Sequence, residues 1–143
     1  MEAVRATEVW QQAAAYYVRI DSMVKGFNIP ADIEIDGHDK PDTKYIVVFD
    51  GILPVATCRL YFEEGGIAKI ERVVVTESLR NKGVGRLAVE AAEEWIKELG
   101  YKKIVITSRD EAVGFYEKLG YTADYSRTYD ADIFKIIYTE KNL

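Results

Sequence analysis

Arg80-Asn81-Lys82-Gly83-Val84-Gly85, followed by Arg86, places two glycines among three cationic side chains. Glycine lets backbone N–H groups approach phosphate oxygens with no Cβ in the way, while arginine and lysine add positive charge to the same loop. An apolar periodic run begins at Val84, so the motif opens a helix, whose first-turn N–H groups and positive dipole end form an anion site. A diphosphate is the natural ligand. His38, the only histidine, stands in an acidic stretch with Glu34, Asp36, Asp39 and Asp42. It has two readings, a base or substrate contact and a solvated loop residue. Glu34, Asp36 and Asp39 offer charge to a cationic substrate, although an ordinary solvated acidic loop has the same composition. Glu71 adjoins Arg72 and lies two residues from Lys69, which suits a surface cross-strand ion partner as well as a base. No set of His, Cys and carboxylates has metal-ligand spacing. Cys58, the only cysteine, sits in the apolar run Val55-Ala56-Thr57-Cys58-Arg59-Leu60 as a small hydrophobe and forms no internal disulfide.

The elements that must hold these residues follow from periodicity. The chain has 143 residues, 48% apolar and 12% aromatic, enough for one globular domain spanning 1–143. Glu2 to Arg5 suits a short strand. Glu8 to Val24 keeps helical spacing through Trp10, Ala13, Ala14, Tyr17, Val18 and Met23, and Gly26 is its expected stop. Residues 27–43 are polar and aperiodic, a long loop and a candidate substrate wall. Tyr45 to Phe49 and Leu53 to Phe62 flank Asp50-Gly51 as an antiparallel hairpin, and after the turn at Glu63 to Gly66, Ile67 to Thr76 makes a third meander strand. Leu87, Ala88, Ala91, Ala92, Trp95, Ile96 and Leu99 define the apolar face of a helix closed by Gly100. Lys103 to Thr107 is a strand, Glu111 to Leu119 a short helix, and Tyr121 to Tyr125 with Ile133 to Tyr138 a terminal strand pair.

Three phosphate motifs compete for the glycine loop. A Walker A loop needs Ser or Thr after Gly-Lys, and Val84 follows Gly83 here. Gly83-Val84-Gly85-Arg86-Leu87-Ala88 matches a dinucleotide fingerprint, but a lone match is weak, and seven residues intervene between strand and glycines after an antiparallel meander. The third is Arg or Gln, two residues, Gly, one residue, Gly or Ala, after a Val-rich strand. Arg80 to Gly85 fits it throughout and resembles the coenzyme A pyrophosphate motif of the GNAT superfamily of N-acetyltransferases. Ala112-Val113-Gly114-Phe115-Tyr116-Glu117-Lys118-Leu119-Gly120-Tyr121 resembles that superfamily's second signature. Tyr17-Val18-Arg19, Ile29-Pro30 and Glu34 to Asp39 further resemble the amino-terminal pattern of small bacterial ElaA-like acetyltransferases.

The resemblance implies an α+β fold, the three-layer αβα GNAT type, with a mixed central sheet, an N-terminal antiparallel meander and a splayed cofactor-binding strand pair. It implies acetyl-CoA as cofactor and direct transfer of an acetyl group to a primary amine. Val73, Val74 and Val75 would pair with the pantetheine arm, and Arg80, Asn81, Lys82, Gly83, Val84, Gly85 and Arg86 would hold the pyrophosphate. Tyr116 takes the family position of the general acid, and Glu71 lies where several members place a base. Arg109 stands where the second signature commonly has Asn, and it either meets a coenzyme A phosphate or is an exposed helix-start arginine. Glu34, Asp36 and His38 are the candidate acceptor contacts, the acceptor being a small-molecule or protein amine. A catalytically silent acyl-CoA-binding domain is the alternative. A net charge of −5 and a pI near 5.0 argue against nucleic-acid or anionic-membrane partners. The chain lacks an apolar run long enough for a membrane span, which points to the cytoplasm. The terminal strands leave a homodimer through a shared sheet edge open.

Overall fold

A computed structural model describes residues 1–131 and 133–143. The chain divides into two compact units, Met1–Tyr61 with Ile70–Trp95, and Phe62–Lys69 with Ile96–Leu143.

The first unit begins with β1 (Glu2–Ala6), α1 (Val9–Arg19) and a π-helical turn over Ile20–Lys25. A capping box fixes the start of α1, in which the Glu8 side chain accepts from the third helical N–H and the Gln11 side chain reaches back to the Glu8 N–H. Gly26 keeps right-handed backbone (φ −76°). The left-handed residue beyond it is Asn28 at φ 57°, a residue type that tolerates this region. The loop that follows contains a short helix, α2 (Ala31–Glu34). β2 (Lys44–Asp50) pairs antiparallel with β1 and with β3 (Leu53–Glu63), and a bulge lies at Val48/Phe49. Gly51 takes φ 61° in the two-residue hairpin turn.

β2 is buried on both faces, which its unbroken apolar run anticipates. Tyr45 and Val47 cluster with Ala6, Ala14 and Ala15 on the α1 side. Ile46 stands opposite Cys58, whose thiol lies 3.7 Å from the Ala88 carbonyl of α3 (Val84–Glu98). Register partners share a face, so helices cover both sides of this part of the sheet. The helix faces differ in detail from the apolar count. Trp10, Tyr17, Leu87 and Leu99 are exposed, and the buried set is Ala14, Ala15, Val18 and Arg19 in α1 and Val84, Ala88, Val89, Ala92, Trp95 and Ile96 in α3. Bulky residues at the edge of an amphipathic stripe count as apolar in a sequence while extending beyond the buried arc.

β4 (Ile67–Val75) runs through both units, as does β3. In the second unit β4 pairs parallel with β5 (Lys103–Arg109) through Ile67↔Lys103, Ala68↔Ile104 and Lys69↔Val105. From Ile70 onward β4 belongs to the first unit. Pairing confined to one end of β4 is the splayed pair of a mixed sheet. β5 pairs antiparallel with β7 (Phe134–Asn142), and β7 pairs with β6 (Thr122–Ala131). The strand order is β1-β2-β3-β4-β5-β7-β6. α4 (Val113–Lys118) follows a 3-10 turn at Asp110–Ala112 and lies against β6 and β7. No helix among the described residues is long and apolar enough to cross a membrane.

Candidate active site

The glycine loop leaves β4 through a 3-10 turn at Glu77–Leu79. Arg80 Nε donates to the Val75 carbonyl at 3.1 Å, and its guanidinium lies 5.9 Å from the Phe27 ring centre. The motif's first cation is therefore tied to the end of the valine strand. Asn81 (φ 62°) and Gly83 (φ 82°) are left-handed, a backbone that favours glycine and curls successive N–H groups inward. A Cβ built on Gly83 would meet nothing within 4 Å, so the space beside this backbone is open. Leu87 N donates to the Gly83 carbonyl at 3.2 Å. The helical ladder thus begins at Gly83 and leaves the N–H groups of Val84, Gly85 and Arg86 outside it. These residues fit a diphosphate. Arg86 is also engaged on the helix surface, with Nε 2.7 Å from Glu90 Oε1.

The acidic loop differs from a solvated one. Arg19 and Arg59 are both 0% exposed and are the polar centre of the unit. Arg19 Nε donates to Glu34 Oε2 at 3.0 Å, Nη1 to Asp39 Oδ1 at 2.7 Å, and Nη2 to Asp39 Oδ2 at 2.9 Å and to the Glu34 carbonyl at 2.6 Å. Arg59 Nη1 donates to Asp36 Oδ1 and Asp39 Oδ2, each at 2.9 Å. Arg72 Nη2 donates to Asp36 Oδ2 at 3.1 Å, and Arg72 Nε donates to the Glu34 carbonyl at 3.2 Å. Burial opposes the charge on Asp39, but bonds from Arg19, the Tyr45 hydroxyl and the Asp36 N–H outweigh it and hold the carboxyl well below its usual range. Asp36 is lowered as well, against partial burial, by the His38 N–H and the Arg59 guanidinium. Burial and the Asp39 carboxylate push the Tyr45 phenol upward.

Two candidates from separate parts of the sequence meet here. His38 Nδ1 lies 2.9 Å from Glu71 Oε1, with the side chains 36% and 15% exposed. The imidazole stacks on Tyr61, ring centres 3.6 Å apart and planes 17° apart. Arg59 Nη2 lies 3.5 Å from the other Glu71 oxygen. Glu34, Asp36, His38, Glu71, Val73 to Val75 and the loop 80–86 all belong to the first unit. Tyr116 and Arg109 belong to the second. The Tyr116 ring is buried, with edge contacts to Phe115 at 5.0 Å and Tyr121 at 5.9 Å. Arg109 Nη1 lies 3.6 Å from Glu111 Oε1, and its guanidinium lies 4.8 Å from the Phe134 ring centre.

Sequence reasoning missed Arg19, Arg59 and Arg72 as the partners of the acidic loop. A signal was present, because Arg19 falls in helical phase with Ala15 and Arg59 interrupts an apolar strand. A buried guanidinium requires carboxylates. Cys58 is fully buried, and desolvation pushes its thiol up to about 12. Among the described residues no group of three or more His, Cys, Asp or Glu could hold a metal ion.

The family profile described as acetyltransferase (GNAT) family matches residues 6–121, which include the glycine loop, Glu71 and Tyr116. This chain belongs to the GNAT acetyltransferase family. Its relatives include the uncharacterized N-acetyltransferase YjcF of Bacillus subtilis, 37% identical over 121 residues and covering 85% of each chain. The crystal structure of a Lactobacillus plantarum protein, provisionally named an N-acetyltransferase, superposes with a TM-score of 0.93 at 30% identity, over 99% of this chain and 97% of the other. Escherichia coli ElaA shares the fold, with a TM-score of 0.84 at 23% identity over 98% of both chains. The α+β GNAT fold and the ElaA likeness expected from the sequence are both present.

Proposed function

We propose that this GNAT protein moves an acetyl group from acetyl-CoA to a primary amine by direct transfer. The observation that carries the reading is the loop after β4, where Asn81 and Gly83 are left-handed, open space lies beside Gly83, and α3 begins with N–H groups outside its ladder. Arg80 to Arg86 would bind the pyrophosphate, and Val73 to Val75 would offer strand backbone to the pantetheine arm. Acetyl-CoA supplies the acyl group as a thioester, already activated toward an amine. Tyr116 would hold a phenolic proton for the departing thiolate, and a buried ring fixed by two aromatic neighbours suits that task. Glu71 stands on the acceptor side. His38 and Asp36, each about one-third exposed at the side chain, are the acceptor contacts of the loop, Asp36 being held in place by Arg59 and Arg72, whereas Glu34, bonded by Arg19 and Arg72, is almost fully buried. Arg109 serves as a further contact to the coenzyme A phosphates.

The test combines calorimetric binding of acetyl-CoA with a thiol-release screen over amino acids, polyamines, aminoglycosides and amino-terminal peptides. We expect saturable acetyl-CoA binding and release of coenzyme A with at least one amine class. Binding without acetylation of any amine would instead support a silent acyl-CoA-binding domain, and absence of binding would remove the loop from the reading.

A further inference from the structure

We propose that His38, oriented by Glu71, takes the proton from the acceptor ammonium, and that Glu71 positions it without itself being the base. This rests on the acetyl-transfer reading above. A carboxylate only accepts hydrogen bonds, so the 2.9 Å contact with Glu71 Oε1 puts the proton on His38 Nδ1 and leaves the lone pair on Nε2. Both Glu71 oxygens face protein donors, His38 Nδ1 at 2.9 Å and Arg59 Nη2 at 3.5 Å. Glu71 is 15% exposed against 36% for His38, so the imidazole is the member of the pair that can reach a substrate nitrogen.

The ring is held on one face and at Nδ1, and its backbone is fixed on both sides. Tyr61 stacks beneath it at 3.6 Å, the His38 N–H donates to Asp36 Oδ1 at 2.9 Å, and its carbonyl accepts from Thr43 Oγ1 at 2.6 Å. The charged groups around it are Glu71 from β4, in contact with its Nδ1, Asp36 from its own loop, in contact with its backbone N–H, and the Arg59 and Arg72 guanidiniums that bond those carboxylates. Glu71, the charged group in direct contact with the ring, suits a ring that becomes cationic. Imidazole is also the side chain whose ordinary proton exchange is matched to neutral pH.

R–NH3⁺ gives one proton to His38 Nε2. The freed lone pair forms the C–N bond at the thioester carbonyl carbon while the C–S bond breaks. The second proton shed by nitrogen ends on the thiolate, and His38 returns its own proton to water. The sum is R–NH3⁺ and acetyl-CoA giving R–NH–acetyl, coenzyme A thiol and H⁺.

His38 is the only histidine, so nitrogen NMR of the untagged protein reads this ring alone. We expect the neutral ring to carry its proton on Nδ1, and Glu71→Ala to move it to Nε2. His38→Gln should lower kcat about 10² to 10⁴-fold, the usual range for a lost general base. Its calorimetric acetyl-CoA affinity should be unchanged, and added imidazole should restore part of the rate. A wild-type ring protonated on Nε2, or His38→Gln turning over an active acceptor at the wild-type rate, would overturn the proposal. The tautomer is read on wild type, so a poorly folding variant does not remove the test. If no amine is acetylated at all, the acetyl-transfer reading fails first and this inference with it; an active enzyme with the wrong tautomer fails the inference alone.

Discussion

Arg19→Met deletes four hydrogen bonds to Glu34 and Asp39 and leaves both carboxylates in place. Asp39 is the more damaged, because its side chain is 1% exposed and water cannot replace the guanidinium. It keeps three partners, Arg59 Nη1 at 2.9 Å, the Tyr45 hydroxyl at 2.6 Å and the Asp36 N–H at 2.9 Å. Glu34, 4% exposed, keeps Arg72 Nε at 3.4 Å. Removing one partner of a buried ion pair costs about 3–5 kcal/mol, and the surviving donors place this case near about 3. For 143 residues that corresponds to a Tm lower by roughly 10 °C. Arg19→Lys should fall between, since an ammonium keeps the charge but cannot fork toward two carboxylates. Urea unfolding followed by tryptophan fluorescence gives the difference. An Arg19→Met protein within about 1 kcal/mol of wild type would refute the reasoning, because the network would then be unnecessary to the charges it surrounds.

Three other outcomes are expected. Asp39 titrates below the usual carboxylate range, so its stabilisation is complete above the unfolded value of about 4 and is lost as pH falls through the folded value. Stability should therefore decline below about pH 4, and Asp39→Asn should flatten that slope in acid titrations; an unchanged slope would assign it to other groups. Gly83→Val places a β-branched residue at φ 82° beside the proposed pyrophosphate, and we expect acetyl-CoA affinity to drop at least about 10-fold by calorimetry, with a folding penalty of about 1–2 kcal/mol. Full affinity in the folded variant would remove the loop from the site. Tyr116→Phe keeps the ring that contacts Phe115 and Tyr121 and should lower kcat by about 10² or more at constant acetyl-CoA affinity; wild-type kcat where chemistry limits turnover would exclude the acid role.

Much of the fold was legible because local chemistry and period agree there. Gly51 at the β2–β3 turn, the valines of β4 and the 3.6-residue rhythm of α3 each point to one conformation. The ends of elements were less legible. Gly26 is a plausible stop by composition, yet the chain leaves right-handed space only at Asn28, and the turn before Gly26, Ile20–Lys25, winds as a π-helix. Residues 27–43 look like a solvated acidic loop because composition records charge without burial. Their partners come from α1, β3 and β4, between 15 and 38 residues away for Glu34 alone, and such pairings have no local signature.

Arg72 shows why the site in particular escaped a linear reading. Neighbouring residues of a regular strand point to opposite faces, so Glu71 and Arg72 should not reach one cluster. Here Glu71 meets His38 and Arg59 while Arg72 meets Glu34 and Asp36, and Asp36 is itself bonded by Arg59. The alternation fails because Arg72 is left-handed, at φ 52°. A non-glycine residue in that region costs of order 1–3 kcal/mol and persists only where its surroundings hold it. The bonds of its guanidinium to the Ile33 and Glu34 carbonyls and to Asp36 are what hold it. The acidic loop, which the sequence presents as a substrate wall, thus also holds the left-handed residue of β4 next to Glu71, the residue that meets His38.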